Sequence, residues 1–101
     1  MTSFVYTLCF KEITLRFRTF EWDQANIAHI AEHHVTPEEV EEACYNKPLI
    51  FRSRLERYYA LGRTDNGRYL TVIVSPKNKD TVRVITARDM SEAERNRFYR
   101  R

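Results

Sequence analysis

A chain of 101 residues with 43% hydrophobic content has material for one core and no room for a second domain. Cys9 and Cys44 are its only cysteines, which argues against a disulfide framework or a cysteine zinc site and for a reducing, cytoplasmic setting. The net charge of +3 and pI near 9.0 suit a polyanionic partner, although 14 acidic residues mean that placement, not total charge, must make any basic patch.

The opening MTSFVYTLCF has no basic leader and no small-residue cleavage site, and no apolar run approaches the roughly 20 residues of a spanning helix. The expectation is a soluble, unexported single domain over residues 1–101, with residues 1–12 as an extension or arm. Ile13 to Trp22 alternates Ile13, Leu15 and Phe17 with Thr14, Arg16 and Arg18, the period of a half-buried strand. Asp23 is placed to cap a helix through about His34, with Ile27, Ile30 and Ala31 as its apolar stripe and Asn26, His29 and His33 pointing elsewhere. Trp22 should pack beneath that helix. Thr36-Pro37-Glu38-Glu39 is a capping box for a second helix to about Tyr45, ended by Asn46 and Pro48. Its Glu38, Glu39, Glu41 and Glu42 read as a solvated face.

Leu49–Arg52 reads as a short strand, followed by Arg57–Thr64, a turn at Asp65-Asn66-Gly67, and Arg68–Ser75. A turn at Pro76–Asp80 leads to Thr81–Arg88, and Ser91-Glu92-Ala93-Glu94 caps a terminal helix ending Phe98-Tyr99-Arg100-Arg101. The order is β-α-α-β-β-β-α: an α+β domain with a small, mainly antiparallel sheet packed by helices on one face. A two-residue Asn66-Gly67 loop would oppose Arg63 to Leu70, Leu61 to Val72 and Tyr59 to Val74, and a five-residue second loop would oppose Val74 to Val82 and Val72 to Val84. The aliphatic side then takes the helices. Tyr58, Ala60, Gly62, Tyr69, Thr71, Ile73, Arg83 and Ile85 form a mixed working face, with Arg68 and Arg88 paired at one strand end of the buried side. A slip of one residue would reverse these assignments.

Arg57, Arg63, Arg68, Arg83 and Arg88 stand at or near strand ends. Guanidinium groups hold their charge at physiological pH and present a planar fork of donors, so a sheet ringed by them is in outline a phosphate-reading surface. Single arginines at strand ends of small proteins are more often solvated or ion-paired. His29, Glu32 and His33 also spell His-x-x-Glu-His on one helix, an inverted zincin pattern, but no distinctive downstream Glu motif supplies a third ligand, and no metal or cofactor is expected.

Phe20-Glu21-Trp22-Asp23, His33 to Val35, Val35 to Ala43, Glu56 to Leu70 and Arg83 to Tyr99 together resemble the BrnT family of bacterial toxin ribonucleases, most specifically in Gly67-Arg68-Tyr69-Leu70, Arg83 to Arg88, and the Glu94-Arg95…Tyr99 ending. The resemblance covers about four-fifths of the chain, from Phe20 to Tyr99. It implies a RelE-like fold, metal-independent RNA cleavage, and neutralisation by a BrnA-like antitoxin, a ribbon-helix-helix DNA-binding protein. The commonest family pattern, Lys-His-Gly-Val, stands here as Glu32-His33-His34-Val35, so an acid replaces a phosphate-binding cation and His34 replaces a glycine.

Cleavage without metal uses the RNA 2'-hydroxyl as nucleophile, a base to deprotonate it, cations for the transition state, and an acid for the departing 5'-oxygen. His33 is the expected acid or base. Arg83 and Arg88 are the expected phosphate ligands, with Arg57 completing the catalytic set. Arg63, Arg68 and Arg95 are expected to bind RNA, and Tyr58, Tyr69 and Tyr99 to stack on bases or donate hydrogen bonds. The alternative is a non-catalytic domain of the same fold that partners an antitoxin-like repressor, which Glu32 in place of lysine favours.

Overall fold

The structure, a computed structural model, describes the backbone of residues 5–8 and 13–101 and the side chains from Phe17 onward. Two strands, β1 (Val5–Leu8) and β2 (Ile13–Arg16), pair antiparallel as a separate small sheet. Part of the expected arm is thus a strand, while residues 1–4 and 9–12, including Cys9, lie outside the described residues. The single strand expected over Ile13–Trp22 is divided: after β2 the chain turns at Phe17 and Arg18, and β3 (Thr19–Glu21) joins the main sheet. Phe17 is fully buried at the break, its ring stacked 5.9 Å from Phe20.

The helix α1 (Gln24–Ala31) starts at Asp23, whose carboxylate accepts from Asn26 N while the Asn26 side chain accepts from Asp23 N. Asn26 was expected to point away from the core and is instead buried. Its Nδ2 donates to the Glu21 and Val84 carbonyls at 2.8 and 3.1 Å, tying the helix to two strands and satisfying a buried amide. Ile27, expected in the apolar stripe, is 40% exposed. The helix stops short of His34 because His34 adopts φ 60°, and Val35 N and His34 N return to the Ile30 and Ala31 carbonyls as a Schellman closure. The helix α2 (Pro37–Tyr45) has the expected capping box and Pro37 in its first turn. Its acids are not a free solvated face: Glu39 accepts from Arg68, Glu41 from the Trp22 indole and Glu42 from Asp65 N.

Strands β4 (Leu49–Arg52), β5 (Tyr58–Arg63), β6 (Tyr69–Pro76) and β7 (Thr81–Asp89) complete a sheet ordered β3-β7-β6-β5-β4, antiparallel except for β3 beside β7. The β5–β6 loop has three residues, not two. Thr64 N donates to Arg68 O, Gly67 N to Thr64 O, and Gly67 takes φ 90°, the type I turn with a left-handed glycine that makes a bulged hairpin. Arg63 therefore opposes Tyr69, and every facing assignment on β5 reverses. Tyr58, Ala60 and Gly62 join Leu70, Val72 and Val74 beneath α1 and α2. The approach there is close: a Cβ on Gly62 would sit 2.2 Å from the Ala43 carbonyl oxygen. On β7 a bulge lets Ile73 oppose Thr86 and Val74 oppose Val84, leaving Ile85 as the extra residue. Alternation flips beyond it, so Ala87 is in the core and Arg88, expected on the buried side beside Arg68, lies on the other face opposite Thr71.

That other face carries the last helix, α3 (Glu92–Tyr99), with Phe98 and Met90 packed on Leu61 and bordered by Leu49, Phe51 and Tyr69. Helices thus cover both faces rather than one. The cause is the hairpin slip, which turned Leu61 out of the main core and gave α3 an apolar seat.

Candidate nucleic-acid interface

Three of the rim arginines are held by acids. Arg83 Nη1 donates to Glu21 and Asp23 carboxylates at 3.0 and 2.8 Å, clasping β3 and the α1 cap. Arg68 spans the sheet end: Nε and Nη2 donate to Asp89 at 2.8 and 3.3 Å, Nη1 to the His34 carbonyl at 2.6 Å and to Glu39, and Nη2 to the His33 carbonyl. Arg88 donates through Nη1 and Nη2 to Glu94 at 2.7 and 3.0 Å. These carboxylates raise the three guanidinium pKa values further. Reciprocally, the Arg88 fork, the Ser91 amide and the Thr71 hydroxyl pull the Glu94 carboxyl down to about 2. Arg57 is exposed and makes no ion pair among the described residues.

His33, Arg57, Arg83 and Arg88 do not converge. His33 sits exposed beyond α1 with its ring edge-on to His29 at 5.8 Å. Arg83 is at the β3 end, Arg88 lies beneath α3, and Arg57 is on the β4–β5 loop. Among the described residues no third histidine, cysteine or carboxylate joins His29 and His33. Tyr58 is buried in the main core and so leaves the expected working face.

Four of the six expected RNA-binding residues do come together. The Arg63 and Arg95 guanidinium carbons lie 5.0 and 4.4 Å from the Tyr69 ring centroid, the geometry of cation–π contact. Tyr99, 60% exposed, has its hydroxyl 2.6 Å from that of Tyr69. Cross-strand pairing sets Arg63 beside Tyr69, and the four-residue spacing of Arg95 and Tyr99 puts both on one flank of α3. The two hydroxyls are shifted in opposite directions. Hydrogen bonding from Tyr69 and the Arg95 guanidinium lowers the Tyr99 pKa, while the Tyr99 oxygen raises that of Tyr69. The result is a phenol that ionises more readily than a free tyrosine, flanked by two fixed cations.

Arg63, Tyr69 and Tyr99 line an open cleft of about 640 Å³ between the hairpin tip and the end of α3, and Arg95 lines a neighbouring cleft on the other side of Tyr99. Asn46 anchors the tip, donating through Nδ2 to the Arg63 carbonyl and the Asp65 carboxylate at 2.9 Å each. The sequence reading missed Arg101, which lines the same cleft with its guanidinium carbon 3.8 Å from the Phe98 centroid. The Phe98-Tyr99-Arg100-Arg101 run carried that signal, since an arginine just past a helix end can fold back to the carbonyl and ring of an aromatic three positions earlier, as Arg101 does with Phe98.

No helix among the described residues is long and apolar enough to cross a membrane. The chain matches no functionally curated protein. From Trp22 to Glu94 it matches the profile of the family described as ribonuclease toxin, BrnT, of type II toxin-antitoxin system, which implies an RNA target and a protein antitoxin. Spanning most of the chain, that match means the protein belongs to the BrnT family of ribonuclease toxins.

Proposed function

We propose that this protein is an endoribonuclease toxin of RelE-like fold that acts in the cytoplasm, cleaves RNA without a metal ion at the cleft lined by Arg63, Tyr69 and Tyr99 with Arg95 beside it, and is neutralised by a BrnA-like, ribbon-helix-helix antitoxin. The observation that carries the location is the convergence of two guanidinium groups and two hydrogen-bonded tyrosine hydroxyls, from β5, β6 and α3, around the Tyr69 ring beside an open cleft. In this reading the Tyr99 phenolate takes the proton of an RNA 2'-hydroxyl, and the 2'-oxygen bonds to the adjacent phosphorus. The bond to the 5'-oxygen breaks, and that oxygen, as it leaves, takes a proton from the water that reaches the open cleft. Arg63 and Arg95 stabilise the charge on the phosphoryl oxygens. The products carry a 2',3'-cyclic phosphate and a 5'-hydroxyl. His33 is held at the same sheet end, on the opposite side, by its carbonyl bond to Arg68.

The second reading, a non-catalytic antitoxin partner, is favoured by the ion pairs that occupy Arg68, Arg83 and Arg88. Expression in a bacterial host separates the two. Wild type should arrest growth, and purified Tyr99→Phe should cleave single-stranded RNA about 10²-fold more slowly, the usual scale for losing a general base, with an unchanged circular dichroism spectrum. A wild type that neither arrests growth nor cleaves RNA would refute the nuclease. If Tyr99→Phe cut at the wild-type rate while His33→Ala did not, the base would be His33.

A further inference from the structure

The helix α3 is a ridge with a cleft on each flank. Relative to the buried Phe98, the 3.6-residue period turns Arg95 and Tyr99 to one side and Ala93, Glu94 and Arg97 to the other. On that second side, toward β4 and β5, Arg97 repeats the motif of Arg95: its guanidinium carbon lies 3.9 Å from the Phe51 ring centroid. Phe51 in turn stacks on its cross-strand neighbour Tyr59, centroids 5.1 Å apart and planes 23° from parallel. Phe51, Ser53, Tyr59, Glu94 and Arg97 line an open cleft of about 400 Å³, within the range of small-ligand sites.

Arg52 lines it as well, and two further cations stand near it. Ser53 N donates to the Arg57 carbonyl at 2.7 Å, so the β4–β5 ladder continues one pair and alternation places Arg57 on the Phe51 and Tyr59 side. Arg88 is fixed on the cleft-lining Glu94. The loop that carries Arg57 is a tight turn with Leu55 and Glu56 at φ 59° and 55°, left-handed values that residues with a Cβ adopt at a cost. Such strain is retained where the surrounding structure imposes it, commonly at binding sites.

We propose that this second cleft is a nucleobase subsite: a base of the RNA strand stacks on the outer plane of the Arg97 guanidinium, whose inner plane rests on Phe51, and Arg57 meets the adjoining phosphate. The inference rests on the nuclease reading above and extends its substrate to a single strand that crosses α3. One helix diameter, about 10 Å, separates the clefts, a span for a few unpaired nucleotides. Guanidinium and aromatic planes are the surfaces on which unstacked RNA bases are held. The occupant they favour is a base rather than an acidic peptide, which would need cations but not stacked rings.

Fluorescence anisotropy with a 5'-labelled single-stranded RNA decamer, 2'-O-methylated throughout to block cleavage, tests this, with a poly-glutamate peptide as the competing probe. Arg97→Ala and the volume-retaining Phe51→Leu should each weaken decamer binding about 5- to 10-fold, and the loss should appear in KM for cleavable RNA more than in kcat. A 4-thiouridine decamer should crosslink to the peptide containing Phe51 and Tyr59. If wild type binds and cleaves RNA while both variants bind within twofold of it, the subsite is refuted and the nuclease stands. If poly-glutamate alone responds to the two substitutions, the cleft takes a protein partner and the proposal fails. Failure of wild type to bind the decamer or to cleave RNA at all overturns both readings together.

Discussion

Glu94 accepts from the Arg88 guanidinium twice, from the Thr71 hydroxyl at 2.9 Å and from the Ser91 amide at 2.8 Å. One carboxylate thus caps α3 and fastens it to the sheet. Its folded pKa, about 2, lies below the ordinary 4.5. The stability it contributes is therefore complete above pH 4.5 and is lost as pH falls toward 2. The shift spans about 2.5 pH units and would be worth about 3 kcal/mol unscreened. The site is partly open to solvent, so about 1–2 kcal/mol is expected. Urea unfolding at pH 7 and pH 3 should show that loss in wild type and a smaller one in Glu94→Gln; equal pH dependence in the two would contradict it. Arg68 has the other dense set of bonds, with Asp89, Glu39 and two backbone carbonyls at the end of α1. Arg68→Ala should cost about 2–3 kcal/mol in urea unfolding, and Arg68→Lys should recover less than half of that because an ammonium cannot fork. A cost below 0.5 kcal/mol would show that these bonds merely replace bonds to water. Apart from the Ser91 cap of Glu94, these partners were not legible in the sequence: Thr71 is 23 residues from Glu94, and Arg68 is 21 from Asp89 and 29 from Glu39, and nothing local encodes such pairs.

The three helix starts were legible because capping is a local exchange of side-chain and backbone bonds, and Asp23, Thr36 and Ser91 all make it. The replacement of a family glycine by His34 was also legible, and the structure gives it a conformation. His34 occupies the left-handed closure of α1 at φ 60°, where a Cβ costs about 1–2 kcal/mol and glycine carries no such penalty. His34→Gly should raise stability by about 1 kcal/mol, read as a higher urea midpoint; an unchanged or lower midpoint would mean that the histidine ring compensates. The hairpin was legible as a turn but not in its length. Asp65-Asn66-Gly67 contains both a two-residue and a three-residue solution, and the choice depends on which face of β5 meets α2. Gly62 at the Ala43 backbone decides for the longer loop.

At the scale of the whole molecule, α2 holds acids and the two flanks of α3 hold most of the arginines outside the ion-pair clasps. A single strand neutralised by fixed guanidinium groups needs no metal for charge, so RNA cleavage should persist in EDTA at the wild-type rate and decline steeply with added salt as counterion release weakens. Loss of cleavage in EDTA, restored by a divalent ion, would return attention to the His29 and His33 pair. By itself the sequence determined the α+β class, the helix caps, the strands of the C-terminal half and the family, since each depends on local periodicity, capping chemistry or a contiguous motif. Only the tertiary structure decided which arginines are clasped by acids, which tyrosines face a cleft, and that α3 takes the second face of the sheet. The facing of β5 turns on one loop residue and that of β7 beyond Ile85 on one bulge, while the clasps of Arg68 and Arg83 join residues far apart in the chain.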